Sequence, residues 1–421
     1  MENSLRHQVF TVFKSANNHF GFLSPNEKLF FSSIIAFAFF IPLSKFGTSL
    51  FSIGIMLFWI LSPERNRRIR ESKKSRFSTA VIIYLLLNVA GLLWTSHLDS
   101  GLQYVRKLSF LILIPVLTTS LGKRESNYIL YSFIAGLLIS VIISYVILFF
   151  DLNSLKQKAA FGPVPFIDHG SYSVLLTILI SFIFILLLDR EFDLRSKVIL
   201  ISFEIFLIVN LFLSGGRIGI VILLFLSIVI AFLYRKKFKW YASHIPASMI
   251  LITLIFYFSM PGFNSRANLA YKGVTKATVE NDYNSSWGGR LALQKVGLEI
   301  IKDHPLIGVG TGDAEFELKA KMCEAFPEFV TTGSLFKATD FHDQFIQDFV
   351  RLGLPGIISL LYIFITLFIC KNKNVLFDKF KTILIVTYLL YGFSGIVLHA
   401  MIPLVTFVLL SSLLLGEEIE G

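Results

Sequence analysis

The sequence predicts an all-α polytopic membrane protein of about twelve transmembrane helices, with a helical cap between spans nine and ten. Three observations carry this expectation. Apolar residues make up 54% of the 421-residue chain, and 44 of them are Phe. Mean hydropathy is +0.70, whereas soluble domains sit near about 45–50% apolar and rarely repeat runs of spanning length. Basic residues crowd every second connection between those runs, as the positive-inside rule requires.

Taken in order, the apolar runs cover residues 28–44, 47–62, 77–95, 105–121, 128–150, 171–188, 198–214, 217–234, 241–260, 342–370, 380–398 and 401–416. The start is polar and basic (Arg6, Lys14) and the first run begins near Leu29, so no cleavable signal peptide is expected. One loop holds Arg65, Arg67, Arg68, Arg70, Lys73, Lys74 and Arg76. Lys123 and Arg124, then Arg190, Arg195 and Lys197, then Arg235 to Lys239, then Lys371 to Lys381 mark every second loop after it. Those loops, and both termini with them, are expected in the cytoplasm of a bacterial inner membrane; the alternate loops face the periplasm. The net charge of +11 is accounted for by these loops and implies no nucleic-acid partner. Cys323 and Cys370 fall on opposite faces, so a disulfide is not expected.

Three regions follow: a bundle over 1–260, an outer helical loop over 261–341, and closing spans over 342–421. The loop is too long to be idle. Leu291, Val296, Leu298 and Ile301 give Arg290–Asp303 helical periodicity, and His304-Pro305 ends it. The turn Gly308-Val309-Gly310-Thr311-Gly312 follows, and Asp313 is expected to cap a second helix reaching about Phe326. Asp340 is expected to cap the tenth span, with Asp343 in its first turn, and Gly353, Pro355 and Gly356 should bend it.

Candidate chemistry lies on the outer face. His342 stands at the mouth of the tenth span, beside Gln344, Gln347 and Arg351, where a helix N-terminus disfavours imidazolium and suits a general base. Arg217 follows a tight Ser214-Gly215-Gly216 turn and offers a guanidinium fork for phosphate, or else snorkels to lipid headgroups. Arg290 follows Trp287-Gly288-Gly289, where a ligand anion would explain a cation at a helix start, or else it is a solvated surface arginine. Trp287 stacks on a sugar face or sits at the lipid interface. Arg106 and Lys107 end one outer loop against the charge bias, and His169 opens the sixth span. Metal-binding and P-loop spacings do not occur, so no metal or other cofactor is expected.

These motifs and their order resemble the O-antigen ligase family. Ser214-Gly-Gly-Arg217 opens a mid-chain span. An arginine-led helix runs from Arg290 through Pro305 to Gly308 and Gly310. A histidine-led turn runs from His342 through Gln347 into the Gly353–Gly356 helix. The resemblance covers roughly Val198 to Gly356 in detail. Asp343 stands where many members have Asn. It implies an inverting, metal-independent membrane glycosyltransferase that moves a glycan from undecaprenyl diphosphate to a sugar hydroxyl of lipid A core. By residue, it implies that Arg217 and Arg290 hold the diphosphate and that His342 deprotonates the acceptor. Gly215, Gly216, Trp287, Gln347, Arg106 and His169 are further substrate-binding candidates. An O-antigen or exopolysaccharide polymerase is the nearest alternative. A lipid-linked sugar transporter fits less well, because Glu204 is among few charges within the spans.

Overall fold

In the computed structural model, residues 23–152, 154, 162–237, 241–326, 339–372 and 374–415 are described. Arg6, Lys14, Lys239 and Lys373 lie outside them. Among the described residues the chain is helical, with no strand. The helices are α1 (Pro25–Phe40), α2 (Lys45–Ile60), α3 (Arg65–Ser72), α4 (Arg76–Ala90), α5 (Leu98–Thr118), α6 (Lys123–Phe149), α7 (His169–Asp189) and α8 (Leu194–Leu213). They continue as α9 (Arg217–Tyr234), α10 (Tyr241–Ser259), α11 (Pro261–Thr275), α12 (Ser286–Asp303), α13 (Ala314–Ala325), α14 (Gln344–Ile369), α15 (Val375–Gly392) and α16 (Met401–Leu415).

Every one of the twelve apolar runs coincides with a helix. Length separates them. Among the described residues six helices are long and apolar enough to cross a membrane, or up to eight if each sharply bent pair is one span. Helices α1 and α2 have 16 residues, α4 and α16 have 15. At 1.5 Å per residue these reach only about 24 Å, short of a hydrocarbon core of about 30 Å. The sequence runs look longer because apolar residues continue into the turns after each helix, as in Leu92-Leu93-Trp94 after α4.

Helix α7 is the central column. Asp168 caps it by accepting from Ser171 N–H (2.8 Å), and α8, α9 and α15 pack against it. Thr177 Oγ1 donates to the Gly219 carbonyl of α9 (2.9 Å), and Tyr172 Oη donates to Asn210 of α8 (2.6 Å). These bonds fix the register of three helix ends that carry candidate residues. At the other end of the same helices Lys379 pairs with Asp189 (2.7 Å) and Lys237 donates to the Leu188 carbonyl (2.9 Å). The basic loops and the candidate residues thus occupy opposite ends of the bundle.

The insertion is more helical than its sequence suggests. Pro261 starts α11, bent by 104° from α10, and a π-turn over Lys276–Glu280 extends it. Helix α12 begins four residues before Arg290, because Ser285 caps it through Gly288 N–H (2.9 Å). Leu293, Val296 and Ile300 of α12 meet Leu318 and Met322 of α13 in a separate small core that also takes Phe341 and Val350. Asp313 does not cap α13 with its side chain. Its carboxylate instead accepts from Ser96 and His97 N–H (2.7 and 2.8 Å), tying the insertion to the α4–α5 turn.

Helix α14 starts later than its sequence suggests. Asp343, not Asp340, is the N-cap, accepting from Phe345 and Ile346 N–H (2.8 and 3.0 Å). His342 therefore lies before the helix, with φ of 49°, and shares no helical face with Phe345. The bend sits at Gly353 (φ 64°, ψ −151°), a conformation open essentially to glycine alone. The break exchanges hydrogen bonds with the Gly-rich turn. Val309 and Gly310 N–H donate to the carbonyls of Val350 and Arg351, and Leu354 N–H donates to Pro305 O. Pro355 has no N–H for Arg351 O, so Gly310 supplies one.

A Cβ at Gly353 would lie 2.4 Å from the Leu306 carbonyl carbon. Gly353→Ala is therefore expected to lose at least about 1–3 kcal/mol of stability. Thermal unfolding in detergent checks this; a midpoint equal to that of the parent chain would refute the hydrogen-bond exchange as a structural requirement.

Candidate functional site

The site forms where the first residues of α7, α9, α12 and α14 meet. Gly215 has φ of 71°, and the turn it makes leaves no space for side chains. A Cβ on Gly216 would lie 2.2 Å from Ser173 Cβ and 2.5 Å from His169 O. That close packing sets Arg217 against the end of α7. Arg217 Nη1 donates to the carbonyl of Arg266 on α11 (3.4 Å), and Arg266 donates back to the Gly215 carbonyl. From the other side α12 brings Arg290, whose guanidinium donates to Ser394 Oγ (3.2 Å).

Trp287 joins the two halves. Its ring centre lies 5.8 Å from the Arg217 guanidinium carbon and 5.7 Å from that of Arg290, within cation–π range. Its indole N–H is buried and finds no acceptor among the described residues. Neither Arg217 nor Arg290 forms an ion pair with a carboxylate among the described residues. Burial pulls the Arg290 guanidinium below its ordinary value, against the opposing influence of Tyr391 and Asp340, yet it remains a cation. His169 lies within electrostatic reach of all three arginines. The corner is a set of fixed positive charges with an indole donor, suited to an anion with several oxygens.

His342 completes it. Asp340 Oδ1 accepts from its backbone N–H (2.8 Å) and lies 3.4 Å from its Nδ1. Burial lowers the imidazole below its ordinary value; the Asp340 carboxylate opposes that and Arg290 adds to it. The downward direction comes from partial burial beside a cation, with no helix dipole required, since the ring sits outside α14. With Nδ1 toward the carboxylate, the favoured tautomer leaves the Nε2 lone pair free.

Several sequence candidates have other tasks. Gln347 is buried and accepts from Phe341 N–H (3.2 Å), bracing the His342 loop. Arg351 is buried over the Tyr104 ring at 3.4 Å and donates to Thr311 O, which ties its guanidinium to that ring and carbonyl. Gln344 accepts from Leu398 N–H (2.9 Å) and donates to Asp348 (3.0 Å), which Tyr84 also reaches (3.0 Å). Arg106 is exposed on α5, and no described contact joins it to the corner. Arg266 escaped the sequence reading. The signal was present, since Pro261 after an apolar run marks a helix start that puts Arg266 in its second turn.

If the corner binds an anion through Arg290, Arg290→Ala should weaken inorganic pyrophosphate binding about tenfold or more, the scale of a lost charge-assisted hydrogen bond. Arg106→Ala should leave it unchanged. Calorimetric titration of the detergent-purified chain decides; equal losses in both variants would count against the corner.

Comparison with known proteins adds two similarities. Residues 202–361 match the family profile described as O-Antigen ligase. A protein of Haemophilus influenzae, described as uncharacterized, is 28% identical over 233 residues. That match covers 52% of this chain and 57% of the relative, so the chain spans little more than half of the relative's length. The segment 202–361 contains Arg217, Arg266, Trp287, Arg290, His342 and the break of α14 at Gly353. The chain is a helical protein with several helices apolar enough to cross a membrane, and its segment 202–361 is similar to the O-antigen ligase family.

Proposed function

We propose that the chain is an O-antigen ligase, a glycosyltransferase of the bacterial inner membrane working on the periplasmic face. It moves a glycan from undecaprenyl diphosphate to a sugar hydroxyl of the lipid A core. The single observation that carries this reading is the convergence of Arg217, Arg266, Arg290 and Trp287 beside a neutral histidine. The domain family supports a ligase or polymerase-like role. The twelve-run topology, with residues 261–341 as a periplasmic cap, agrees with basic loops at one end of the bundle and this corner at the other.

In this reading the arginines bind the donor diphosphate and stabilise the negative charge that grows on its bridging oxygen as the glycosidic bond breaks. Trp287 Nε1 donates to a phosphate or sugar oxygen. The acceptor hydroxyl attacks the anomeric carbon from the opposite side, so the anomeric configuration inverts. His342 Nε2 takes the hydroxyl proton as the new C–O bond forms. Asp340 holds the ring through Nδ1 and steadies the imidazolium. The energy comes from the donor's own phosphoester bond. These roles need fixed charge and a base and call for no metal.

His342→Ala should lower the transfer rate about 10²–10⁴-fold with the fold intact. A full rate in that variant would remove the general-base role. Cells lacking the gene should keep long polymer on the lipid carrier and show bare core on gels; single repeat units on the core would indicate a polymerase instead.

The pH profile gives a second check. The imidazole titrates below the ordinary histidine range, so it is neutral at pH 7 and the rate should fall only as the medium becomes acidic. Asp340→Asn removes the group that raises this value, so the acid limb should move to lower pH. An unmoved limb would assign it to another group.

A further inference from the structure

A second cleft, of about 460 Å³, opens between the insertion and the α4–α5 turn. Trp94, His97, His304, Asp313, Phe316 and Glu317 line it. Its polar and aromatic groups take no part in the chemistry above. The His97 ring lies flat on Phe316, with centroids 3.4 Å apart and planes 6° off parallel. Trp94 and Phe316 remain 38% and 39% exposed, which leaves ring surface open to a ligand.

The cleft is built on fixed backbone. Thr311 N–H donates to Gly91 O (3.1 Å), Thr311 Oγ1 to Asn88 O (2.8 Å), and Gly312 N–H to Thr95 Oγ1 (2.9 Å). Asp313 takes Ser96 and His97 N–H and lies 2.8 Å from His97 Nδ1. Burial would raise the Asp313 carboxyl, but those donors hold it below its ordinary value, so it stays an anion. A rigid wall of aromatic faces suits the C–H-lined faces of pyranose rings, and the Glu317 carboxylate can accept from their hydroxyls. The Asp313 and Glu317 carboxylates repel phosphate, opposite to the arginine corner.

We propose that this cleft is a saccharide-binding subsite for neutral or amino-bearing sugar units, at a distance from the bond being made. The proposal rests on the glycan-transfer reading and deepens it. Val309 in its floor donates to Val350 O of α14, and the adjoining Gly310 donates to Arg351 O, seven and eight residues beyond the Asp343 cap. That is about 11–12 Å along a helix, so an oligosaccharide can reach both places and a monosaccharide cannot. The sugars belong either to the donor glycan or to the acceptor.

The test is ligand-observed NMR and titration on the full-length chain in detergent. The probes are two fractions released by mild acid from the lipopolysaccharide of the bacterium supplying the gene: core oligosaccharide and polymer fragments. At least one fraction should bind. Trp94→Ala and Glu317→Gln should each weaken that binding about tenfold, while Trp94→Phe and Arg290→Ala keep it. Binding of the core fraction assigns the acceptor, and binding of the polymer fraction assigns the donor glycan. In transfer assays Trp94→Ala should raise KM for that substrate and leave kcat within about twofold. No binding by either fraction, or binding indifferent to both substitutions, overturns the proposal. A chain that transfers glycan with such indifferent binding loses the cleft and keeps the ligase reading. A chain that binds through Trp94 yet transfers nothing loses the ligase reading and keeps the cleft.

Discussion

Guanidinium groups held together at the end of an apolar bundle set the terms for the structure around them. Like charges repel, and more strongly where water is scarce. Arg217 and Arg290 form no ion pair with a carboxylate among the described residues, and Arg266 donates to the Gly215 carbonyl. The Gly215 and Arg266 carbonyls, Ser394 and the Trp287 ring anchor the three guanidinium groups. A carboxylate in the same place would neutralise the corner and compete with an incoming anion.

Holding that corner needs parts distant in sequence to be rigid relative to one another. Helix α7 aligns α8 and α9 through Tyr172 and Thr177. The break at Gly353 aligns the insertion with α14, because the helix gives up its own hydrogen bonds and takes them from the Gly308–Gly310 backbone. Inside a membrane protein such a break is tolerated only where the freed groups find partners. The Gly-rich turn is that set of partners. It also forms the floor of the saccharide cleft, so one backbone exchange supports two places.

The helices were legible because apolar runs are the strongest signal a sequence carries. Their ends were not. Asp340 and Asp343 both look like caps, and only the tertiary pull of Phe341 into the insertion's core decides for Asp343. Arg217, Arg290 and His342 were legible as polar groups on one expected face, and the structure places them near one another and near Gly215, Gly216, Trp287 and His169. Arg266 was hidden because α11 lacks apolar periodicity and reads as loop. Gln347 and Arg351 look like site residues by position, yet they are buried braces. Rotation about a helix axis is set by packing, which a single sequence does not display.

The insertion looks like a cassette between residues 261 and 341, but its core does not stop there. Phe341 and Val350 belong to it, and Gly297 is small because the Phe341 and Ile346 side chains press against its backbone. His342 sits in that seam, in a left-handed conformation fixed from both sides. A graft of the insertion from a relative would therefore have to carry the first two turns of α14 as well. The structural unit here is the insertion plus His342 and the start of its helix, so a change in the insertion's core is felt at the histidine.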